Sequence, residues 1–255
     1  MSTSTYLNQI HLGDCLELMK ELDSNSIDMI LCDLPFGVTQ NKWDSVIPLD
    51  LLWKQYQRVI KKNGAIVLFG AQPFTSQLVM SNPKRFRYSL VWEKNKSTGF
   101  LNAKRMPLRN HEDILVFYKK LPTYNPQKTT GHKPANRYTK NTSDGTNYGE
   151  TKVGITGGGQ TDRYPTSVLK FPVLNNDSES KFHPTQKPVP LYEWLVNTFS
   201  NEGDTILDNC SGAGTLAFAC SNQRRNFICM EQDETYYRES IKQFEAYRER
   251  EAVVV

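Results

Sequence analysis

The sequence predicts an α/β fold built on a doubly wound, mostly parallel sheet with helices on both faces. Three observations favour this fold class. Short apolar runs alternate with amphipathic segments along most of the chain. Two of the runs end in loops of the kind that forms binding sites at the carboxyl edge of parallel sheets. The length of 255 residues is sufficient for one such core and an insertion.

The elements follow from the spacing of apolar residues. Strands are predicted where short apolar runs occur, at 26–32, 65–69, 88–92, 114–118, 205–207 and 226–230. Helices are predicted where apolar residues recur at helical spacing, at 48–62, 74–80, 189–199, 215–223 and 234–250. The pair Asn63-Gly64 is predicted to end the first helix, because glycine readily adopts the left-handed conformation found at helix ends.

The middle of the chain has a different composition from its flanks. Residues 121–180 are rich in Pro, Gly, Asn, Thr and Lys and show little apolar periodicity, which indicates an insert rather than a plain loop. We therefore divide the chain into two halves of one domain, 1–118 and 182–255, and an insert at 119–181. Residues 81–181 hold 18 Lys and Arg against 8 Asp and Glu, which suggests a surface for a polyanion. An ordinary solvated face is the alternative.

Composition excludes several classes of protein. Apolar residues make up 38% of the chain, which is enough for a packed core. No apolar run approaches the roughly 20 residues that span a membrane, and the N-terminus is polar, so we expect no membrane partner and no secretory signal. The five cysteines lack Cys-x-x-Cys spacing, which favours reduced thiols in a cytoplasmic protein and no metal site.

A glycine turn lies near the C-terminus, at 211–215, between a predicted strand and a predicted helix. Glu231 follows it at the distance where a carboxylate binds ribose hydroxyls in nucleotide sites. Ala217 occupies the place of the third glycine of a dinucleotide motif, and Asp208 would repel a pyrophosphate. The turn therefore suits a cationic ligand that carries a ribose, such as S-adenosylmethionine (SAM). A tight turn without a ligand is the alternative.

A second turn, Asp33-Leu34-Pro35-Phe36, directly follows the first predicted strand. Proline fixes the loop, so that a carboxylate, a backbone carbonyl and an aromatic ring are directed into one space. An exocyclic amine on a flat base needs two acceptors for its N–H groups and a ring to stack on. Taken alone, the segment also fits an ordinary β-turn.

Together these turns resemble the amino-methylating DNA methyltransferases of the β-order group, in which the catalytic motif comes first and the cofactor motif last. Residues 33–36 resemble the catalytic [Asp/Asn/Ser]-Pro-Pro-[aromatic] motif, with Leu34 in place of the first Pro and Phe36 in place of the commoner Tyr. Residues 208–215 resemble the cofactor loop. Residues 13–17 and 183–188 resemble two further elements, which contact the cofactor's adenine and its carboxylate.

The resemblance implies a Rossmann-like methyltransferase fold in circularly permuted order, with a target-recognition region at 119–181. It implies four catalytic residues, Asp33, Leu34, Pro35 and Phe36. The residues implied for SAM binding are Asp14, Cys15, Asp33, Lys187, Asp208, Cys210, Gly212, Gly214, Thr215 and Glu231. Phosphate contacts are expected from basic residues of the middle segment, namely Lys94, Lys96, Lys104, Arg105 and Arg109.

The implied reaction is methyl transfer from SAM to N6 of an adenine that is extruded from duplex DNA. Asp at the first catalytic position favours adenine, and N4 of cytosine is the first alternative. RNA, a protein glutamine amide and an inactive DNA-binding module on the same fold are the others. Duplex DNA is the expected partner in the cytoplasm of a prokaryotic or phage-infected cell, and a homodimer and a cognate restriction enzyme remain open. Trp43 is expected either to line the base pocket or to cover the sheet end.

Overall fold

Eight strands form one twisted sheet at the centre of the structure, a computed structural model that describes residues 2–37, 45–140, 152–175 and 181–254. In spatial order the strands are β1 (Gln9–Leu12), β10 (Asn226–Glu231), β9 (Thr205–Asp208), β2 (Ile27–Cys32), β3 (Ile60–Gly70), β5 (Arg109–Phe117), β4 (Phe86–Thr98) and β8 (Val168–Lys170). Trp43 lies outside the described residues.

The first five strands in this order run parallel, so their C-terminal ends lie along one edge of the sheet, here called the carboxyl edge. β5 is antiparallel to both β3 and β4, and β8 is parallel to β4. The start of β5 and the end of β4 therefore lie at the carboxyl edge too. The predicted fold class, a mostly parallel α/β sheet, is confirmed.

Within the described residues, six helices cover the two faces of the sheet. They are α1 (Cys15–Lys20), α2 (Leu49–Val59), α3 (Phe74–Ser81), α4 (Val189–Phe199), α5 (Thr215–Asn222) and α6 (Glu234–Val254). Because side chains alternate along a strand, Ile30 of β2 joins the apolar layer under α1, α2 and α3, while Leu31 joins the layer under α4, α5 and α6. No helix in the described ranges is long and apolar enough to cross a membrane.

One predicted helix end was wrong. α2 stops at Val59, and the chain enters β3 at Ile60, so Asn63-Gly64 lies inside a strand. Gly64 is needed there for close packing. A Cβ at this position would lie 2.7 Å from the backbone oxygen of Asp28, on the neighbouring strand. The pair of residues that was predicted to end a helix instead allows two strands to approach each other.

The edge strands β1 and β8 were not predicted, since each of them buries a single large apolar residue, Ile10 or Leu169. β4 is also longer than the predicted run at 88–92, because its polar second half extends past the core. The chain divides into two compact units, Met1–Asn125 with Ser167–Val255, and Pro126–Thr166.

The smaller unit is held together by its own contacts. A two-stranded antiparallel ribbon pairs β6 (Tyr138–Thr139) with β7 (Thr156–Gly157). Lys128 and Asp162 form an ion pair at 2.9 Å, and the ammonium also lies over the ring of Tyr164. This unit lies within the segment predicted as the target-recognition insert, a role that stays a prediction.

Candidate active site

A cavity of about 260 Å³ opens at the carboxyl edge of the sheet. Its walls come from the loops that follow β1, β2, β9 and β10, whose C-terminal ends lie side by side. The residues that line it include many of those predicted for catalysis or cofactor binding: Asp14, Cys15, Asp33, Leu34, Pro35, Phe36, Lys187, Cys210, Gly212, Thr215 and Glu231. The fold thus brings together segments from both ends of the chain.

Asp33 is the first residue after β2 and is mostly buried in the cavity wall. Lys187 donates a hydrogen bond to its Oδ2, whereas Oδ1 has no hydrogen-bond partner among the described residues. Burial raises the pKa of Asp33, and the ammonium of Lys187 opposes that rise without cancelling it. One oxygen is therefore anchored, and the other is left for a ligand that brings an N–H donor.

Lys187 lies between two carboxylates. Its ammonium contacts Asp33 and lies 3.5 Å from Oε2 of Glu112, which in turn pairs with Lys94. Burial lowers the pKa of Lys187, and the two carboxylates raise it by more. Burial likewise raises the pKa of Glu112, but Lys187 and Lys94 lower it overall. Four charges of alternating sign thus form one buried row, here called the charge row: Asp33, Lys187, Glu112 and Lys94.

Glu112 was missed by the sequence analysis. It lies at the start of β5, and it lines the cavity because this antiparallel strand begins at the carboxyl edge. A signal was present, since Glu112 and Asp113 directly precede the buried run Ile114–Phe117, and a carboxylate there must either reach the surface or find a partner. Its orientation depended on knowing that β5 is antiparallel.

The cofactor loop is held by Glu231, the last residue of β10. Its Oε2 accepts a hydrogen bond from the Gly212 N–H at 2.7 Å, and its Oε1 accepts one from the Asp233 N–H at 2.8 Å. Burial raises the pKa of Glu231. Gly212 has φ of 50°, a left-handed conformation that favours glycine, and its α-carbon faces the ring of His183. The loop therefore presents backbone and a carboxylate to the cavity.

Asp208 and Gly214 are not among the described residues that line the cavity. Asp208 is only 1% exposed, and its Oδ1 accepts a hydrogen bond from the Cys210 N–H at 3.1 Å. Burial raises its pKa to about 7. Gly214 caps α5 with φ of 69°. Both residues shape the loop from within the core, and a direct contact between either one and a cofactor stays a prediction.

The walls on either side of the loop are also fixed by local contacts. Asp14 caps α1, and its Oδ1 accepts a hydrogen bond from the Leu16 N–H at 2.7 Å. Phe36 stacks on Phe74 at 5.2 Å between ring centroids and still lines the cavity. Burial lowers the pKa of His183 to about 4, so that this ring is neutral at neutral pH. Stacking of Phe36 on a base stays a prediction.

The predicted phosphate-binding residues fall into two groups. Lys94 belongs to the charge row and also lies 4.8 Å from the centroid of the Trp92 ring. Lys96 donates a hydrogen bond to Asn175 at 2.8 Å and is exposed. The other three are also exposed: Lys104 and Arg105 lie between β4 and β5, and Arg109 is the first residue of β5. Lys94 thus has neighbours that suit a structural role in the site, and the other four are accessible to a phosphate backbone.

A family model of N6/N4 methyltransferases, described as DNA methylase, matches residues 27–242. The Type II methyltransferase M.HpaI from Haemophilus parainfluenzae is 27% identical over 88% of this chain and 70% of its own length. The DNA adenine methyltransferase YhdJ from Escherichia coli (strain K12) is 24% identical over 91% of this chain and 81% of its own.

Solved structures share the fold. The complex of M1.HpyAVI with SAM superposes with a TM-score of 0.61 at 22% identity, over 95% of this chain and 98% of that one. The PvuII DNA methyltransferase, described as cytosine-N4-specific, gives a TM-score of 0.67 at 14% identity, over 91% and 84% of the two chains. The predicted family and cofactor are confirmed. The chain belongs to the N6/N4 DNA methylase family, and it is a SAM-dependent methyltransferase that acts on DNA.

Proposed function

We propose that the chain methylates the exocyclic N6 of adenine in duplex DNA, after the base has been extruded into the cavity. The observation that carries this proposal is the Asp33 carboxylate, anchored through Oδ2 and without a partner on Oδ1. An adenine amine has two N–H groups. Oδ1 of Asp33 would accept from one of them, and the Leu34 carbonyl from the other.

The residues of the cavity suit SAM. Glu231 would accept hydrogen bonds from the ribose hydroxyls, Asp14 would lie at the adenine, and the backbone at Gly212 would allow close approach. Lys187 would bind the carboxylate of SAM. Its ammonium would then contact three carboxylates, those of SAM, Asp33 and Glu112. When bound, SAM supplies a methyl group on a positively charged sulfur.

Alignment supplies much of the rate in such a reaction. Hydrogen bonds from both amine N–H groups hold the nitrogen so that its lone pair is directed at the methyl group. In methyl transfer the N–C bond would form as the C–S bond breaks, and the nitrogen would give up one proton. Asp33 suits the acceptance of that proton, because burial has already raised its pKa.

The test is to incubate the protein with duplex DNA and methyl-labelled SAM, and then to digest the DNA to nucleosides. Label in N6-methyladenine is the expected result. Label only in N4-methylcytosine would refute the adenine assignment and would leave the family intact. A chain that had become a binding module would show no increase in melting temperature with SAM.

The names of the relatives support a role beside a restriction enzyme. M.HpaI is named a Type II methyltransferase, and this name supports a role in restriction and modification. We include in the proposal that the chain protects DNA in the cytoplasm from a cognate restriction enzyme. The exposed cations Lys104, Arg105 and Arg109 are proposed to contact phosphates. Sequencing of modified bases in DNA from cells that express the chain would identify the methylated site, and cleavage of unmodified DNA at that site would identify the partner enzyme.

A further inference from the structure

The hairpin between β4 and β5 ends in an exposed apolar tip. After Thr98, Gly99 turns the chain into a short 3-10 helix, Phe100–Asn102, before the chain returns as β5. Phe100 is 68% exposed and Leu101 is 101% exposed, so neither side chain contributes to the core. Single exposed apolar residues are common on protein surfaces. Two adjacent ones at the end of a projecting hairpin form a surface that suits a partner.

The charge around the tip identifies the chemistry of that partner. Residues 95–111 contain four cations and no Asp or Glu. Lys104, Arg105 and Arg109 follow the tip within the same hairpin and are exposed. An apolar end bordered by cations alone is complementary to stacked bases bordered by phosphates, and it would repel a basic surface.

The tip projects from the edge that carries the cavity. Glu112 of β5 lines the cavity, and its strand neighbour His111 pairs with Glu93 of β4. Thr98 of β4 pairs with Arg109, two residues along β5 from His111, so at roughly 3.3 Å per residue the paired part of the hairpin extends about 7 Å past that pair. The 3-10 helix Phe100–Asn102 follows beyond this paired part. The major groove is about 8.5 Å deep, so a reach of this size would bring the tip into a duplex that lies at the cavity mouth.

We propose that Phe100 and Leu101 form a wedge that enters the duplex beside the target base and keeps the base stack open while the target occupies the cavity. The proposal rests on the proposed methylation of a base in duplex DNA. Apolar side chains inserted between bases offset the lost stacking, and the neighbouring cations hold the two phosphate backbones in place. The wedge thus acts on base opening, separately from cofactor binding and methyl transfer.

The test compares Leu101→Ala with the unaltered protein on two duplexes that carry the methylated site found by sequencing. In one duplex the target is paired, and in the other it lies opposite an abasic position, where opening requires less energy. We expect kcat/KM to fall by about tenfold or more on the paired duplex and by less than about twofold on the other. Arg105→Ala should lower kcat/KM equally on both duplexes and should reduce the salt dependence of binding.

Met80→Ala is the matched control, since Met80 is 72% exposed near the end of α3, at the opposite edge of the sheet, and should change neither value. An equal loss on both duplexes for Leu101→Ala, or no loss, would overturn the wedge. A loss that accompanies a change in oligomeric state would assign the tip to contacts between copies and would overturn it too. If the unaltered protein methylates neither duplex, the proposed function itself fails.

Discussion

The two edges of the sheet place their charged groups differently. At the amino edge, where parallel strands begin, Glu202 and Arg224 form a pair at 3.4 Å with both side chains largely exposed. At the carboxyl edge, three members of the charge row are buried together: Asp33, Lys187 and Glu112. The same sheet therefore carries a solvated ion pair at one edge and a desolvated row of charges at the other.

Unsatisfied atoms show what the difference means. Among the described residues, two buried side-chain atoms, Asp33 Oδ1 and Ser211 Oγ, have no hydrogen-bond partner, and a third, Glu112 Oε2, has only the Lys187 ammonium at 3.5 Å. All three residues line the cavity. A buried polar atom without a partner costs about 1–3 kcal/mol. The unpartnered atoms thus lower the stability of the fold at the carboxyl edge. The same atoms are available to bind a ligand.

The largest expected effect is on turnover, in Asp33→Asn. The substitution keeps the shape and removes the charge, so we expect methyl transfer to fall by at least about 100-fold. Stability should stay equal or rise, because the buried carboxylate is disfavoured in the folded state. Single-turnover transfer of labelled methyl groups and thermal unfolding measure the two quantities.

The SAM-induced rise in melting temperature should persist in Asp33→Asn, which separates lost chemistry from lost cofactor binding. The matched control is Glu202→Gln at the amino edge, where turnover should not change. Turnover retained in Asp33→Asn would show that Asp33 is not the acceptor.

The second effect is on folding, in Lys187→Met. Removal of the ammonium leaves Asp33 and Glu112 buried without their shared cation, which should destabilise the protein by about 3–5 kcal/mol at neutral pH. The loss should shrink as the pH falls. Burial already raises the pKa of Asp33, and the loss of Lys187 removes the main charge that opposes this rise, so protonation of Asp33 at low pH then favours the folded state. Urea unfolding at several pH values measures this.

Arg224→Met is the matched control for Lys187→Met, since it removes a cation from the exposed pair, and it should change stability by less than about 1 kcal/mol. The double variant Lys187→Met with Glu112→Gln should recover part of the stability. If Lys187→Met and Arg224→Met lose equal stability, burial of the charge row does not explain the difference between the edges.

Most of the fold could be predicted because buried parallel strands are continuous apolar runs. The run at 226–230 and the helix at 189–199 match β10 and α4 closely. The errors fall where burial is partial, as in the edge strand β1, or where a residue has two uses. Glycine ends many helices. Gly64 instead allows two strands to pack closely.

The sequence predicted which residues form the site better than it predicted the contacts between them. Asp33, Gly212 and Glu231 all line the cavity, because short sequence patterns place them at the ends of parallel strands. Glu112 was not found, since its position depends on the antiparallel direction of β5, which no local pattern reveals. The ion pair of Lys187 with Asp33 depends on side chains 154 positions apart in the sequence.

A smaller effect is expected on the pH dependence of turnover, in Glu112→Gln. The negative charge of Glu112 contributes to the raised pKa of Asp33. Its removal should lower that pKa, so the acidic limb of the pH–rate profile should move to lower pH. Glu93→Gln, on the neighbouring strand and paired with exposed Lys170, should leave the limb in place. An unmoved limb in Glu112→Gln would show that Asp33 does not set it.

Asp208 gives the next effect, on the pH dependence of stability. Its folded-state pKa of about 7 lies above the value of about 3.9 expected in the unfolded chain. The folded protein therefore holds more protons in this window, and the contribution of Asp208 to stability falls as the pH rises from 4 to 7. Asp208→Asn removes the titration, so the stability of the variant relative to the unaltered protein should rise over that window. A constant difference would contradict the raised pKa.

The smallest effect is expected at the amino edge, in Glu202→Gln. Glu202 and Arg224 are both largely exposed, so water already solvates each charge and salt screens their attraction. The melting temperature should stay within about 1 °C of the unaltered value at low and high salt. A change as large as that of Lys187→Met would mean that exposed and buried ion pairs contribute alike in this fold. The contrast between the edges would then reflect local packing rather than desolvation of the charges.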